Sequence, residues 1–144
     1  RQVHLTGHEI DAFRIYQDLY SRYDHALAHM RGLHGLEYLS DGFEKQPGCF
    51  DMITMFFPFV FPGDHLEWGL PDPLFRPLEL LHNAWDSLKP GGLLLVVNQG
   101  EAEHEAEGEM FNQLDIHPRA GYRQDPLLFS YDLDRYVWTA VRDA

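Results

Sequence analysis

The segment Ser87–Asn98, SLKPGGLLLVVN, is the part of this 144-residue chain that decides its fold. Lys89 suits the carboxyl end of a helix, Pro90 cannot continue that helix, and the two glycines after it give the backbone freedom to reverse. The five apolar residues Leu93–Val97 follow without polar alternation, which is typical of a strand covered on both faces in a parallel sheet. Sheets of this kind bind ligands beyond the carboxyl ends of their strands.

The composition is that of a folded, acidic domain. Hydrophobic residues make up 44% of the chain and aromatic residues 14%, which suffices for a core. The 23 acidic and 11 basic side chains give a formal net charge of -12, and the basic residues are scattered singly. Binding to a phosphate backbone needs clustered lysines and arginines, so we expect no nucleic-acid partner.

The single cysteine, Cys49, excludes an internal disulfide and favours a reducing compartment, so we expect a cytoplasmic location. No apolar run reaches the roughly 18 residues that span a bilayer, so we expect no membrane partner. A small molecule is the expected partner, and a homo-oligomer is left open. Because the chain begins at Arg1 and not at a methionine, we expect it to be a fragment of a longer protein.

Strand and helix patterns alternate along the chain. Asp11 is expected to cap the first helix, and the proline-rich segment 58–73 is expected to lack regular structure. The alternation predicts one α/β domain over residues 1–144, with a mostly parallel sheet and flanking helices. The predicted strands are 3–11, 36–39, 50–57, 93–97 and 135–142, with one more left open near the end, and the predicted helices are 16–30, 74–88 and 101–114.

Four segments, in this order, carry a resemblance to a known family. They are LTGHEID (5–11), LEYLSDGF (36–43), FDMITMFF (50–57) and LKPGGLLLVV (88–97). Together they resemble the later part of a class I S-adenosylmethionine-dependent methyltransferase. The resemblance implies a Rossmann-like fold with an antiparallel C-terminal strand, and S-adenosylmethionine as the cofactor, with S-adenosylhomocysteine as the product.

The resemblance also implies which residues bind the cofactor. Gly7-His8-Glu9 matches the family's Gly-x-acid pattern, so Glu9 would accept hydrogen bonds from the ribose hydroxyls. A carboxylate suits this role because its two oxygens only accept hydrogen bonds. Ile10 would pack on the adenine, and Asp41, followed by Gly42, would accept from the adenine amino group.

The acceptor is implied to lie at the end of the third predicted strand, bordered by Met55, Phe56, Phe57 and Phe59. Phe56, Phe57, Phe59 and Phe61 could line a pocket for an apolar or aromatic substrate, and they are at least as well explained as core residues. The family's Asn- or Asp-Pro-Pro-aromatic signature for nitrogen acceptors is incomplete here, since only Pro58-Phe59 matches its end. We therefore do not infer a nitrogen acceptor from the resemblance. No catalytic residue is assigned, because direct displacement of the methyl group depends on positioning.

Two features of the family are missing: its first strand and the glycine-rich turn that follows it. No G-x-G pattern occurs in the chain, and that strand pairs on both edges in the family's sheet. The alternative function is therefore a non-catalytic scaffold or interaction module that has lost cofactor binding. A nucleotide- or dinucleotide-binding domain that uses Glu9 in the same way is a third interpretation.

A metal site is not expected. His25 and His29 lie four residues apart, the spacing that places two imidazoles on one helix face. The sequence offers no third ligand at an informative spacing, so we predict that both face solvent.

Overall fold

The computed structural model describes residues 3–143, which form two compact units, one within residues 3–44 and one within residues 45–143. Within this described part, no helix has both the length and the apolar character needed to cross a bilayer. The elements in chain order are β1 (Leu5–His8), α1 (Arg22–Met30), β2 (Leu36–Leu39), β3 (Phe50–Phe56), α2 (Pro62–Glu67), a 3-10 turn (Asp72–Leu74), α3 (Pro77–Ser87), β4 (Leu88–Gln99), α4 (Gly100–Gln113), β5 (Ala120–Gln124) and β6 (Arg135–Val141).

Residues 3–44 contain a two-stranded parallel sheet. β1 and β2 pair from Leu5 opposite Leu36 to His8 opposite Leu39, so both strands end at the same edge. Little of this unit is buried, because only one apolar side chain of residues 3–44, that of Ala12, belongs to the buried core. Hydrogen bonds and ion pairs therefore account for much of its local order.

Helix α1 begins later than the sequence predicts. Ser21 caps it: the Ser21 hydroxyl accepts from the Asp24 N–H at 3.1 Å, and the Asp24 carboxylate accepts from the Ser21 N–H at 2.8 Å. This reciprocal pair is a capping box. The predicted cap at Asp11 is wrong, and Tyr16 and Tyr20 of the predicted helical stripe precede the helix. Asp11 instead forms an ion pair with Arg14.

Residues 45–143 form a four-stranded sheet in the order β3–β4–β6–β5. β3 and β4 are parallel, whereas β6 runs antiparallel to both β4 and β5. The predicted α/β class, with parallel strands, flanking helices and an antiparallel C-terminal strand, is confirmed. The fully buried apolar side chains of this unit include Leu81, Leu88, Leu94, Val96 and Phe111.

The segment that decides the fold ends α3 as expected, but β4 then begins directly, at Leu88. The strand is therefore longer than predicted. Its pairing with β3 is interrupted by a bulge between Leu88 and Leu93, where Gly91 has a φ of 78°, a conformation that favours glycine. The Gly91 N–H donates to the Arg142 carbonyl at 2.7 Å, and the Arg142 N–H donates to the Gly92 carbonyl at 2.9 Å. The end of β6 thus closes the bulge.

The proline-rich segment 58–73 contains regular structure, contrary to the prediction. α2 has Pro62 at its start, and the 3-10 turn likewise has Pro73 near its start. Proline is tolerated there because the first N–H groups of a helix have no intrahelical partner. The buried His65 ring joins the two by donating from Nε2 to the Pro71 carbonyl at 2.9 Å.

Two glycines make room for the indole of Trp138. A Cβ at Gly108 in α4 would lie 3.0 Å from the ring, and one at Gly121 in β5 only 2.3 Å from it. The indole Nε1–H also donates to the His104 carbonyl at 3.0 Å, and the ring stacks on that of His104 at 4.2 Å. The indole therefore loses these contacts if it is displaced.

Gly121→Ala should lower the free energy of unfolding by about 1–3 kcal/mol, because the new methyl group overlaps the indole. Gly63→Ala in α2 is the matched control, since no heavy atom lies within 4 Å of where its Cβ would be. That change should be neutral or slightly stabilising. Urea unfolding followed by circular dichroism makes the comparison. Equal stabilities of the two variants would contradict the packing of Trp138.

Candidate functional site

The carboxyl ends of β1 and β2 bring the four predicted cofactor-binding residues together. We call this place the small-sheet edge, formed by Glu9, Ile10, Asp41 and Gly42. Glu9 follows β1 directly, and its N–H donates to the Leu39 carbonyl at 3.1 Å. Ile10 is exposed, and its Cδ1 lies 3.4 Å from where a Cβ of Gly42 would be. The four residues are neighbours, whereas their role in binding stays a prediction.

Glu9 is hydrogen bonded on both carboxylate oxygens. Oε2 accepts from Arg22 Nη1 at 3.0 Å, and Oε1 accepts from the Asp11 N–H at 2.9 Å. Each carboxylate oxygen has two lone pairs, so the group keeps the capacity for further donors. Burial raises the pKa of nearby Tyr38, and the negative charge of Glu9 adds to this rise. Sequence reasoning missed Arg22, because nothing in its local pattern indicates a partner 13 residues away.

Asp41 is largely exposed and pairs with the ring of His8. His8 Nδ1 lies 3.2 Å from Asp41 Oδ1, so the ring nitrogen donates to the carboxylate. The His8 ring also packs edge-on against Phe43, with 5.1 Å between the ring centroids. Within residues 3–143, the buried Nε2 of His8 has no hydrogen-bond partner. His8 is the unspecified middle residue of the Gly-x-acid pattern, so sequence reasoning assigned it no role.

The predicted acceptor-bordering residues Met55, Phe56 and Phe57 lie at the carboxyl end of β3. The Phe57 N–H donates to the Val97 carbonyl of β4 at 2.8 Å. Phe56 is 64% exposed and Phe57 is also exposed, whereas Met55 is half-buried. Phe57 has a φ of 55°, a left-handed conformation that costs a non-glycine residue about 1–3 kcal/mol and is enriched at functional sites.

Phe59 lies in an aromatic cluster that includes residues of α2. Its ring centroid is 5.7 Å from that of His65 and 6.2 Å from that of Trp68. His65 in turn contacts Phe75 at 5.3 Å. These contacts give Phe59 a packing role, and its predicted role at the acceptor stays a prediction.

Arg135 stands at the start of β6, opposite the last residue of β4, Gln99. Its guanidinium carbon lies 4.8 Å from the ring centroid of Phe57 and 4.2 Å from that of Tyr131, and both contacts are cation–π interactions. Its Nη1 donates to the Leu133 carbonyl at 2.9 Å. Sequence reasoning missed Arg135, because only the antiparallel direction of β6 brings its first residue to this place.

We call this second place the large-sheet edge. It is formed by Phe56, Phe57, Gln99, the hairpin loop 125–134 and Arg135.

Glu107 and Asn98 form a buried pair between α4 and β4. Glu107 is only 1% exposed. Asn98 Nδ2 donates to Glu107 Oε2 at 3.5 Å, and the other side-chain oxygen of each residue has no partner among residues 3–143. Burial raises the pKa of Glu107 to about 7; the Asn98 hydrogen bond opposes this rise, and the nearby carboxylate of Glu103 adds to it.

Glu107 should make the stability of the chain depend on pH. Between its ordinary pKa of 4.5 and the folded value of about 7, the folded state holds a proton that the unfolded state has released. The free energy of unfolding therefore falls as the pH rises through this window, by about 3 kcal/mol in total. Glu107→Gln should remove this decline, and it should be more stable than the parent chain near pH 8.

Urea unfolding near pH 5 and near pH 8 measures this effect. Glu105→Gln, at an exposed position of the same helix, is the matched control and should keep the decline. A Glu107→Gln variant that loses stability between the two pH values as the parent does would show that Glu107 does not hold the proton.

Two further features, the histidines of α1 and a concavity beside α4, involve none of the predicted cofactor-binding residues. His25 Nε2 pairs with Asp18 at 2.9 Å, and His29 is exposed. Among residues 3–143, no group of three potential ligands is placed to hold a metal ion. An open concavity of about 850 Å³ beside α4 is lined in part by Phe61, His104 and Trp138, and it contains none of the predicted cofactor-binding residues.

Comparisons with known proteins show which fold this is. No family model matches the chain, and no curated protein matches its sequence. The N-methyltransferase NodS from Bradyrhizobium japonicum has a similar structure, with a TM-score of 0.62 and 13% identity; the match covers 98% of this chain and 74% of that one. A SAM-dependent methyltransferase from Aquifex aeolicus gives a TM-score of 0.61 and 15% identity, covering 96% and 68%. A SAM-dependent O-methyltransferase from Thermotoga maritima gives 0.57 and 11%, covering 98% and 50%.

The chain thus has the Rossmann-like fold of class I S-adenosylmethionine-dependent methyltransferases, which confirms the fold that the four sequence segments predict. At 11–15% identity these likenesses establish the fold alone. A second similar structure of NodS, with a TM-score of 0.62, is a complex of that protein with S-adenosyl-L-homocysteine. The chain spans between half and three quarters of the length of the three proteins named above.

Proposed function

We propose that this chain binds S-adenosylmethionine at the small-sheet edge and, as part of a longer protein, transfers its methyl group to a small-molecule acceptor. The observation that carries this proposal is the position of Glu9. It is a partly buried carboxylate directly after a parallel strand, in a chain with the methyltransferase fold.

The side chains at the small-sheet edge suit the nucleoside part of the cofactor. Glu9 has lone pairs left to accept from the ribose hydroxyls. The Asp41 side chain is 69% exposed and would accept from the adenine amino group. Ile10 presents an exposed apolar surface for the adenine ring, and Gly42 places no side chain beside it.

The proposed reaction needs positioning more than chemical catalysis by the protein. S-adenosylmethionine supplies an activated methyl group when it is bound. Glu9 and Asp41 would hold the nucleoside, and Phe56 and Phe57 are the residues proposed to border the acceptor. Fixing two reactants in line can supply much of a rate enhancement, so no nucleophile or general base is assigned.

The proposed setting is the cytoplasm, with a small molecule as the acceptor. The lone thiol of Cys49 is exposed, which suits a reducing compartment. The net charge of -12 opposes binding to nucleic acids or to anionic membranes. A homo-oligomer stays an open part of the proposal.

A non-catalytic scaffold is the second candidate, and one observation favours it. Both oxygens of Glu9 already have partners, Arg22 and the Asp11 N–H, so the carboxylate is stable without a ligand. In a scaffold, the pairing of Glu9 with Arg22 would serve only to connect β1 to α1.

S-adenosylhomocysteine should bind the chain, and Glu9→Ala should weaken that binding by about tenfold or more, because it removes hydrogen bonds to a charged acceptor. Isothermal titration calorimetry measures both affinities. Glu37→Ala in β2 is the matched control: it removes an exposed acid from the same sheet and should bind as the parent chain does.

Equal binding by the parent chain and Glu9→Ala would show that Glu9 is not a ligand. No binding by a folded parent chain would favour the scaffold. Tighter binding of NAD than of S-adenosylhomocysteine would favour a dinucleotide-binding domain instead.

A further inference from the structure

We infer that Arg135 and the hairpin loop 125–134 form a binding site for a small apolar carboxylic acid at the large-sheet edge. As an assignment of the methyl acceptor, this inference rests on the proposed function. As an assignment of a binding site, it rests only on the contacts described below.

Arg135 is a cation in a chain whose 23 acidic side chains outnumber its 11 basic ones. Within residues 3–143, no carboxylate forms an ion pair with it, and its one hydrogen bond is from Nη1 to the Leu133 carbonyl. Two neighbouring acids are engaged elsewhere: Asp134 pairs with Arg123 at 3.3 Å, and Glu103 accepts from the Gln99 N–H at 2.6 Å. A half-buried guanidinium with unused donors is suited to an external anion.

Two aromatic rings hold the guanidinium in place. Phe57 and Tyr131 come from different parts of the chain, and both rings lie within 4.8 Å of the Arg135 guanidinium carbon. Arginine stacks on aromatic faces while its planar N–H groups stay available for bidentate contact with a carboxylate. Phe57 contributes its ring from a strained backbone with a φ of 55°, which is a feature of functional sites.

The loop beside Arg135 is apolar and exposed. Five of the seven residues 127–133 are large hydrophobic or aromatic residues that are more than half exposed, with Leu127 at 89% and Leu128 at 85%. Contiguous exposed apolar side chains are a feature of binding surfaces. One cation beside an apolar surface matches a ligand that has one anionic group and an apolar body.

The surrounding charges favour a carboxylate over a phosphate. Asp125 and Asp134 lie in the same loop and share Arg123 as their partner, and Glu103 is close enough to Arg135 for the two charges to interact. These acids repel a dianion more than a monoanion. A single arginine is enough to bind one carboxylate bidentately.

Calorimetric titration of octanoate, without cofactor, tests the site directly. Octanoate should bind. Octanol, which has the same chain without the charge, should bind at least about tenfold more weakly than octanoate. Arg135→Leu should weaken octanoate binding by about tenfold or more and leave octanol binding unchanged. Arg135→Lys should keep part of the affinity for octanoate, because the charge stays and the bidentate geometry is lost.

Two further variants serve as controls. Arg119→Leu removes an exposed arginine that forms no ion pair among residues 3–143, so it changes the net charge equally and should leave octanoate binding unchanged. Leu127→Ser with Leu128→Ser alters two side chains that are almost fully exposed and do not support the fold. This double variant should weaken both octanoate and octanol.

Three results would overturn the inference: no binding of octanoate by the folded chain, equal binding by Arg135→Leu, or tighter binding of octyl phosphate than of octanoate. The result is independent of the titration with S-adenosylhomocysteine. If octanoate binds through Arg135 and the cofactor does not bind, the inference of a carboxylic acid site stands, and its assignment as the methyl acceptor site is wrong. If the cofactor binds and octanoate does not, the proposed function stands, and the inference of a carboxylic acid site is wrong.

Discussion

Hydrogen bonds around the end of α3 set the register on which the larger sheet depends. The buried hydroxyl of Ser87 accepts from the Gln46 N–H at 2.8 Å, which ties the approach to β3 to the helix. The Arg142 guanidinium donates to the Leu88 carbonyl at 2.9 Å, which ties the end of β6 to the start of β4. Phe50 is therefore held opposite Leu88. Beyond the bulge the register changes and Met52 lies opposite Leu93, so the positions of the carboxyl ends of β3 and β4 depend on this first pair together with the bulge.

The two edges that carry the proposed sites are stabilised in different ways. At the small-sheet edge, polar groups satisfy one another: Glu9 with Arg22, and Asp41 with His8. A ligand there would share acceptors that the fold already uses. At the large-sheet edge, the Arg135 guanidinium lies against aromatic rings and keeps donors that the fold does not use. A ligand there would pair with a guanidinium that forms no ion pair within residues 3–143.

The sequence pattern predicted those features of the structure that depend on residues close together in the chain. The continuous apolar run Leu93–Val97 predicted a buried strand. Glu9 and Asp41 were named by the family resemblance, and the structure places them after the parallel strands β1 and β2. The start of α1 was wrong because Tyr16 continues a helical periodicity, while the capping box that begins at Ser21 decides where the helix starts. Arg135 was not predictable, because its site depends on the tertiary pairing of β6 with β4, for which a single sequence carries no local signal.

The central claim is that a chain with the methyltransferase fold uses the small-sheet edge to bind the cofactor. Backbone amide chemical shifts of the isotope-labelled chain, recorded with and without S-adenosylhomocysteine, test this claim most directly. The account predicts that the largest shift changes occur at Glu9, Ile10, Asp41 and Gly42. Changes confined to other residues, or no changes at saturating ligand, would contradict it.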